Sequence, residues 1–320
     1  MIDYISSFLQ EFDYTSTERV SIAIAYEKVM ESKEARERLL RLIDGYAKDM
    51  SYITEAHHSE IEAISTLSGV HMHTVELLTL ICLSKTLRTR LAGLGMTKKN
   101  IFLTLSDIKY KMAENETTVG IVGTDKWSWY AKLLLPNVFA IGRLQFELAA
   151  HNGENYEKDG KILKKGSPVL RVHIPMSGEP LDSSACASSY REAKKFFIRL
   201  LGITDIPFTC SSWLLSPLNL DYLGEKSNIV KFASRYDITD VVEFKNDGAV
   251  FPWIFASAPN TPIEKLPRDT TLRRAYGKLL DDGGHILSAS GIFFLEDPKP
   301  KKSASPTPSA KQKAEPDPNA

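Results

Sequence analysis

Cysteine is scarce in this chain. Only Cys82, Cys186 and Cys210 occur among its 320 residues. The number is odd, the spacing is wide and no CxxC is formed, which excludes a disulfide framework and a cysteine-type zinc site. Net charge is lacking too: Lys plus Arg and Asp plus Glu each number 40. Such a balance gives no support for nucleic acid or an anionic membrane surface as the main partner. Long apolar runs are missing. The longest, around Val75 to Leu83, is interrupted by Glu76 and followed by Lys85, and it is too short to span a bilayer. The opening MIDYISSFLQEFDY carries acids and no basic stretch, so it does not read as a signal peptide. No repeat of fixed period is visible. A reducing cytosol is the simplest setting for such a chain.

What is present is ordinary globular material. Hydrophobic residues make up 43% and charged residues 25%, enough for a sizeable core and for two domains. The first third reads as helices. Thr15 and Glu18 fit a capping box ahead of Ile22, Tyr26 and Val29. Leu39, Leu42, Ile43 and Tyr46 recur at helical spacing, with Glu34 and Arg38 as an i,i+4 pair. A third candidate runs from Ile53 to Leu67 and stops at Ser68-Gly69. A fourth, from about Thr74 to Leu91, is apolar nearly all round in its first half, as a central helix would be. Gly93 and Gly95 end it, and Thr97 caps a fifth helix through Tyr110.

The character changes after about Asn115. Trp127 to Leu135 reads as helical, but β-branched and aromatic runs then take over. Val138 to Leu148 alternates with period two and is expected to be one strand, with Arg143, Gln145 and Glu147 on its polar face. Pro168 to Ile174 repeats the pattern, with Arg171 and His173 opposite Leu170, Val172 and Ile174. Ser183 to Leu200 is an amphipathic helix. Strands are expected at Phe208 to Leu215, Val241 to Phe244, Trp253 to Phe255 and Ile286 to Leu295. A short helix begins near Ser227, and Asp269 or Thr270 caps another that ends at Gly283-Gly284. From Pro298 onward Pro, Lys, Ser and Ala dominate. Such a segment cannot bury enough surface to offset its ordering entropy and is expected to be a disordered tail.

Several stretches together carry a resemblance. They are IGRLQFEL at Ile141 to Leu148, VHIP at Val172 to Pro175, CSSWLL at Cys210 to Leu215, SNIVKF at Ser227 to Phe232 and LPRDTTLRRAYGKLLDDGGH at Leu266 to His285. In this order the chain resembles the bacterial two-domain acyltransferase family, in which a helical N-terminal domain precedes a GNAT-like C-terminal domain. The resemblance implies an α+β fold. An all-helical domain would cover residues 1–118, a GNAT-like mixed α/β domain 119–297 and the tail 298–320. It further implies acyl-coenzyme A as co-substrate, an amine or similar small molecule as acceptor, and no metal. GNAT enzymes hold the coenzyme pyrophosphate on a [QR]xxGx[GA] loop between a strand and a helix. The one match here, Arg90 to Gly95, follows a helix and reads as a helix stop, so the coenzyme site is expected elsewhere, degenerate or absent.

Three groups of residues can carry chemistry. Amine acyl transfer needs a base, and Glu147 and His173 are the candidates if their strands pair. A solvated outer face, or an Arg143–Glu147 ion pair, fits the same row. Cys210, with His173, suggests a thiolate nucleophile, while a buried structural cysteine is the commoner fate of such a residue. Ser227 and Asn228 open a helix whose free N–H groups would suit phosphate or serve as an ordinary cap, with Arg143 as a further coenzyme contact. His57, His58, His71 and His73 have no partner at metal-ligand spacing and read as surface residues. The leading expectation is an acyl-CoA-dependent N-acyltransferase acting by direct amine attack. Two alternatives stand beside it: a non-catalytic binding module on the same fold, and a Cys210-dependent hydrolase or acyl carrier.

Overall fold

The computed structural model describes residues 1–295, so the expected tail lies outside the described residues. Seven helices come first: α1 (Ile2–Glu11), α2 (Ser16–Glu31), α3 (Lys33–Lys48), α4 (His58–Ser68), α5 (Met72–Gly93), α6 (Lys98–Val119) and α7 (Trp127–Leu134). The capping box forms as read: Thr15 Oγ1 accepts from the Glu18 amide, and Glu18 accepts from the Thr15 amide at 2.6 Å. Thr97 caps α6 through the Asn100 amide. Every residue from Thr74 to Ser84 is buried, because α5 is surrounded by the other helices. Among the described residues no single helix is long and apolar enough to cross a membrane.

The second half is mixed. It comprises β1 (Val138–Ile141), β2 (Leu144–Ala150), β3 (Tyr156–Lys158), β4 (Lys161–Leu163), β5 (Pro168–His173), α8 (Ser183–Leu201), β6 (Phe208–Ser212), α9 (Leu218–Leu223), α10 (Asn228–Ala233), β7 (Asp237–Glu243), α11 (Phe251–Phe255), α12 (Thr271–Asp281) and β8 (Leu287–Phe293). Six strands form one sheet in the order β1-β2-β5-β6-β8-β7, antiparallel except for the β5–β6 pair. The chain is thus an α+β protein.

Two sequence expectations are corrected here. Val138 to Leu148 is a hairpin of two strands, not one strand. Gly142 (φ 64°) leads its two-residue turn, and a Cβ there would meet Ser189 Oγ at 2.5 Å. Period-two alternation reads straight through such a turn, because both arms of a hairpin keep it. Arg143 therefore sits in the turn, off the row of Gln145 and Glu147. Trp253 to Phe255 is helical, begun by Pro252 at a first-turn position where its missing N–H costs nothing.

The two sheet faces differ in kind. Phe139, Phe146 and Phe208 face α8, where they meet Phe196, Phe197 and Tyr190 with ring centroids 4.9–6.0 Å apart. Burying each such ring stabilises the fold by about 1.5–3 kcal/mol. The other face is covered by α6 and α7 of the helical part. Thr104 Oγ1 on α6 accepts from the Ala140 amide at 3.0 Å, which satisfies a buried donor of the edge strand β1. Tyr46 OH donates to Leu134 O at 2.6 Å and Trp127 Nε1 to Thr54 O at 3.1 Å, fixing α7 to the helices behind it.

Candidate active site

The parallel pair β5–β6 is short. Leu170 opposes Phe208 and Arg171 opposes Thr209, and beyond that the register ends. Both strands keep their outer neighbours, β5 with β2 and β6 with β8. The sheet therefore opens in its middle as a wedge. The Leu170 amide donates to Pro207 O on the β6 side. By strand alternation the C=O of Val172 also points to the β6 side, and it lies past the last registered pair, where the wedge begins. Val172 to Met176 and Ser211 to Leu214 line a cleft of about 1340 Å³ that begins there and runs against α6 and α7. Pockets that bury one drug-sized ligand measure roughly 300–1,000 Å³, so this cleft has room for more than one small reactant.

One wall is apolar, with Trp213, Leu214, Leu223, Ile229, Trp253 and Leu272. Asn219 fixes its Trp213 turn: its amide donates to Trp213 O and Leu214 O, and its carbonyl accepts from Tyr276 OH at 2.7 Å. The facing wall is polar. There β2 and β5 align Gln145 with His173 and Glu147 with Arg171.

His173 Nε2 lies 2.9 Å from Glu147 Oε2. Glu147 is 6% exposed, and Lys132 Nζ and Arg171 Nη1 stand 3.3 and 3.6 Å from its other oxygen. Burial pushes this carboxyl upward, but the hydrogen bond and charge of His173, and then Lys132, outweigh it and hold the group at about 2. Glu147 is thus a carboxylate that only accepts, so Nε2 carries the proton it shares. In the neutral ring Nδ1 is then the free basic atom. The ring of Trp129 meets the imidazole edge-on, with centroids 4.8 Å apart at 73°. Trp129 Nε1 donates to Asp107 Oδ2 at 2.7 Å and Gln145 Nε2 to Asp107 Oδ1 at 2.9 Å.

The other expected residues fall as follows. Arg143 lines the cleft, but its guanidinium donates to the carbonyls of Pro175, Glu179 and Pro180, so it holds the β5–α8 loop. Ser227 and Asn228 line the cleft at the start of α10, where Ser227 Oγ accepts from Ile229 N at 3.2 Å. Cys210 lies apart from the cleft. It is 3% exposed, it alternates away from the cleft-lining Ser211, and its neighbours are Tyr190 and Tyr236. Burial pushes its thiol up to about 12. The structure does not bring it to His173, and such burial disfavours the reactive thiolate.

The fold agrees with comparisons to known proteins. The N-acyltransferase N-terminal domain matches residues 3–134 and the GNAT-like C-terminal domain residues 138–293. The chain belongs to this two-domain family. No curated protein matches it. Among solved structures it is similar to an acyltransferase in complex with decanoyl-CoA and teicoplanin, at 22% identity, covering 91% of this chain and 87% of that one, with a TM-score of 0.70. It is similar to an acyltransferase in complex with decanoyl-CoA at 23% identity, over 90% and 86% of the two chains, with a TM-score of 0.69. A mutant acyltransferase in complex with octanoyl-CoA has a TM-score of 0.72 at 22% identity, over 92% and 88%.

Seen in these terms, both family domains build the site. The GNAT-like domain supplies His173 and Glu147; the N-terminal domain supplies Asp107, Trp129 and Lys132. Sequence reasoning missed the second set. One signal was available: Asp107 stands among Ile101, Thr104, Leu105, Ile108 and Met112 on the buried stripe of α6, where an unexplained acid asks for a partner.

Proposed function

We propose that this protein is an acyl-CoA-dependent N-acyltransferase in which His173 is the general base and Glu147 orients it. One observation carries the reading: an oriented His–carboxylate pair stands where a sheet opens into a cleft large enough for two substrates. The edge of β5 beyond the last β6 pair suits a ligand arm that contains amides, added like a strand. An acyl-coenzyme A has such an arm, and the similar structures hold acyl-CoA ligands. The apolar wall would take the acyl chain, and the polar wall an amine. Cys210 plays no part.

The amine lone pair attacks the thioester carbonyl, so a C–N bond forms and the C–S bond breaks. One N–H proton passes to His173 Nδ1, and the imidazolium then gives it to the departing thiolate. Glu147 stays ionised and stabilises the imidazolium between those steps. The products are an amide and the free thiol. A cytoplasmic setting suits this reading, since all three cysteines are free and buried.

The loop that would meet the phosphate end of the donor departs from the glycine-rich pattern. The strand-to-helix loop at 174–182 contains only Gly178, and the amides of Ser184 and Ala185 at the start of α8 are already taken by Asp182 Oδ1. This favours a second reading, a binding module without catalysis. Calorimetric titration with octanoyl-CoA and with free coenzyme A separates the two. The transferase predicts micromolar binding of either. The binding module, without a coenzyme loop, predicts no heat up to millimolar ligand in a folded sample.

A further inference from the structure

We infer that Asp107 is a positioning residue for His173, through which the N-terminal domain holds the base in place. This rests on His173 being the base. Asp107 is 1% exposed and lies on α6, in the other family domain. Each of its oxygens accepts one neutral N–H, from Trp129 at 2.7 Å and from Gln145 at 2.9 Å. These two donors bracket His173: Trp129 packs edge-on against the ring, and Gln145 is its register partner on β2. A single side chain thus fixes two of the surfaces against which the imidazole rests. His173 Nε2 is already held by Glu147, so the clamp governs where Nδ1 points.

The charge pattern supports a role beyond packing. Glu114 and Glu147, near the same cleft, have lysine, arginine or histidine partners. Asp107 has no ion pair among the described residues, although it lines the cleft. A buried acid satisfied by neutral donors alone costs stability that an apolar or amide residue would not. Retaining it is accounted for if its negative charge acts when positive charge appears on His173. A site that must hold an imidazolium during proton transfer gains from a fixed, dry, nearby negative group.

The test uses the full chain and two variants. In Asp107→Asn one oxygen still accepts, while the charge is lost. In Trp129→Phe the ring stays and the Nε1–H is lost. His173 is followed directly, by the NMR titration of its Cε1–Hε1 signal, assigned with His173→Gln. Transfer from octanoyl-CoA to hexylamine is followed by thiol release. The Asp107→Asn titration curve, and the acid limb of its pH–rate profile, should move to lower pH. kcat should fall by about 10- to 100-fold, with KM for octanoyl-CoA changed less than about 2-fold, as misplacement of a reacting group predicts. A folded Asp107→Asn protein whose His173 titrates as in the wild type overturns the inference. Should that variant fail to fold, Trp129→Phe decides: a kcat reduced by about 10-fold at constant KM supports the clamp, and a wild-type kcat overturns it. If the wild-type protein transfers no acyl group, the function reading has failed, and the NMR titration still decides whether Asp107 acts on His173.

Discussion

Glu147 and Glu76 are both glutamates buried beside a histidine, yet their surroundings drive them in opposite directions. At the cleft, Glu147 meets His173, Lys132 and Arg171 and is held at about 2. Inside the helical domain, Glu76 is 0% exposed, and neither of its oxygens makes a well-formed hydrogen bond. The imidazole Nε2 of His58 stands 3.9 Å from one of them. Burial pushes Glu76 up to about 8; Asp125 adds to the rise, and the backbone and charge of Lys126 offset it only in part. Burial alone neutralises an acid, while burial among donors and cations fixes its charge. The first environment stores instability. The second builds a permanent anion beside a base.

The largest effect that can break this contrast is at Glu147. Its folded-state value lies below its ordinary 4.5, so its contribution is present above that pH and is lost as the pH falls from 4.5 towards 2. Glu147→Gln should cost about 2 kcal/mol at pH 7, discounted because Lys132 and Arg171 are partly exposed. It should remove that acid-side slope, read by chemical denaturation between pH 2 and 7, and lower kcat/KM by about 100-fold.

Glu76 should behave with the opposite sign. Its folded-state value lies above 4.5, so the unfolded chain ionises first and wild-type stability falls as the pH rises from 4.5 to about 8. Glu76→Met should remove that loss and stabilise the protein by about 2 kcal/mol at pH 8, with little gain at pH 4. Melts of both proteins across this range check it; a destabilised Glu76→Met at pH 8 would show that the carboxyl has partners. The smallest effect is expected at Cys210, a buried group outside both environments. Cys210→Ala should leave acyl transfer unchanged and cost about 1 kcal/mol. Iodoacetamide should label Cys210 slowly in the folded wild-type protein.

The sequence showed these environments unequally. Local signals were legible: the Thr15 and Thr97 caps, the buried α5 and the amphipathic α8 all stand close to where periodicity and capping residues put them. The pairing of Glu147 with His173 was legible as well, because two alternating strands with polar residues on matching faces can align them. The Gly142 turn was not, since the alternation continues through it. Nor was the helical half of the site. Trp129 and Asp107 are 22 residues apart and bond only because α7 packs beside α6, which no local pattern encodes. The Arg90 to Gly95 match ends α5, as a helix stop should, so it offers no strand-to-helix phosphate loop.

The most direct test of the central claim is transfer of the octanoyl group from octanoyl-CoA to a panel of aliphatic, aromatic and sugar-borne primary amines, comparing wild type with His173→Gln. The account predicts an N-octanoyl product with one free thiol released per amide formed. It predicts His173→Gln slower by about 10²- to 10⁴-fold, with octanoyl-CoA binding unchanged. A His173→Gln protein that transfers as fast as the wild type would contradict it.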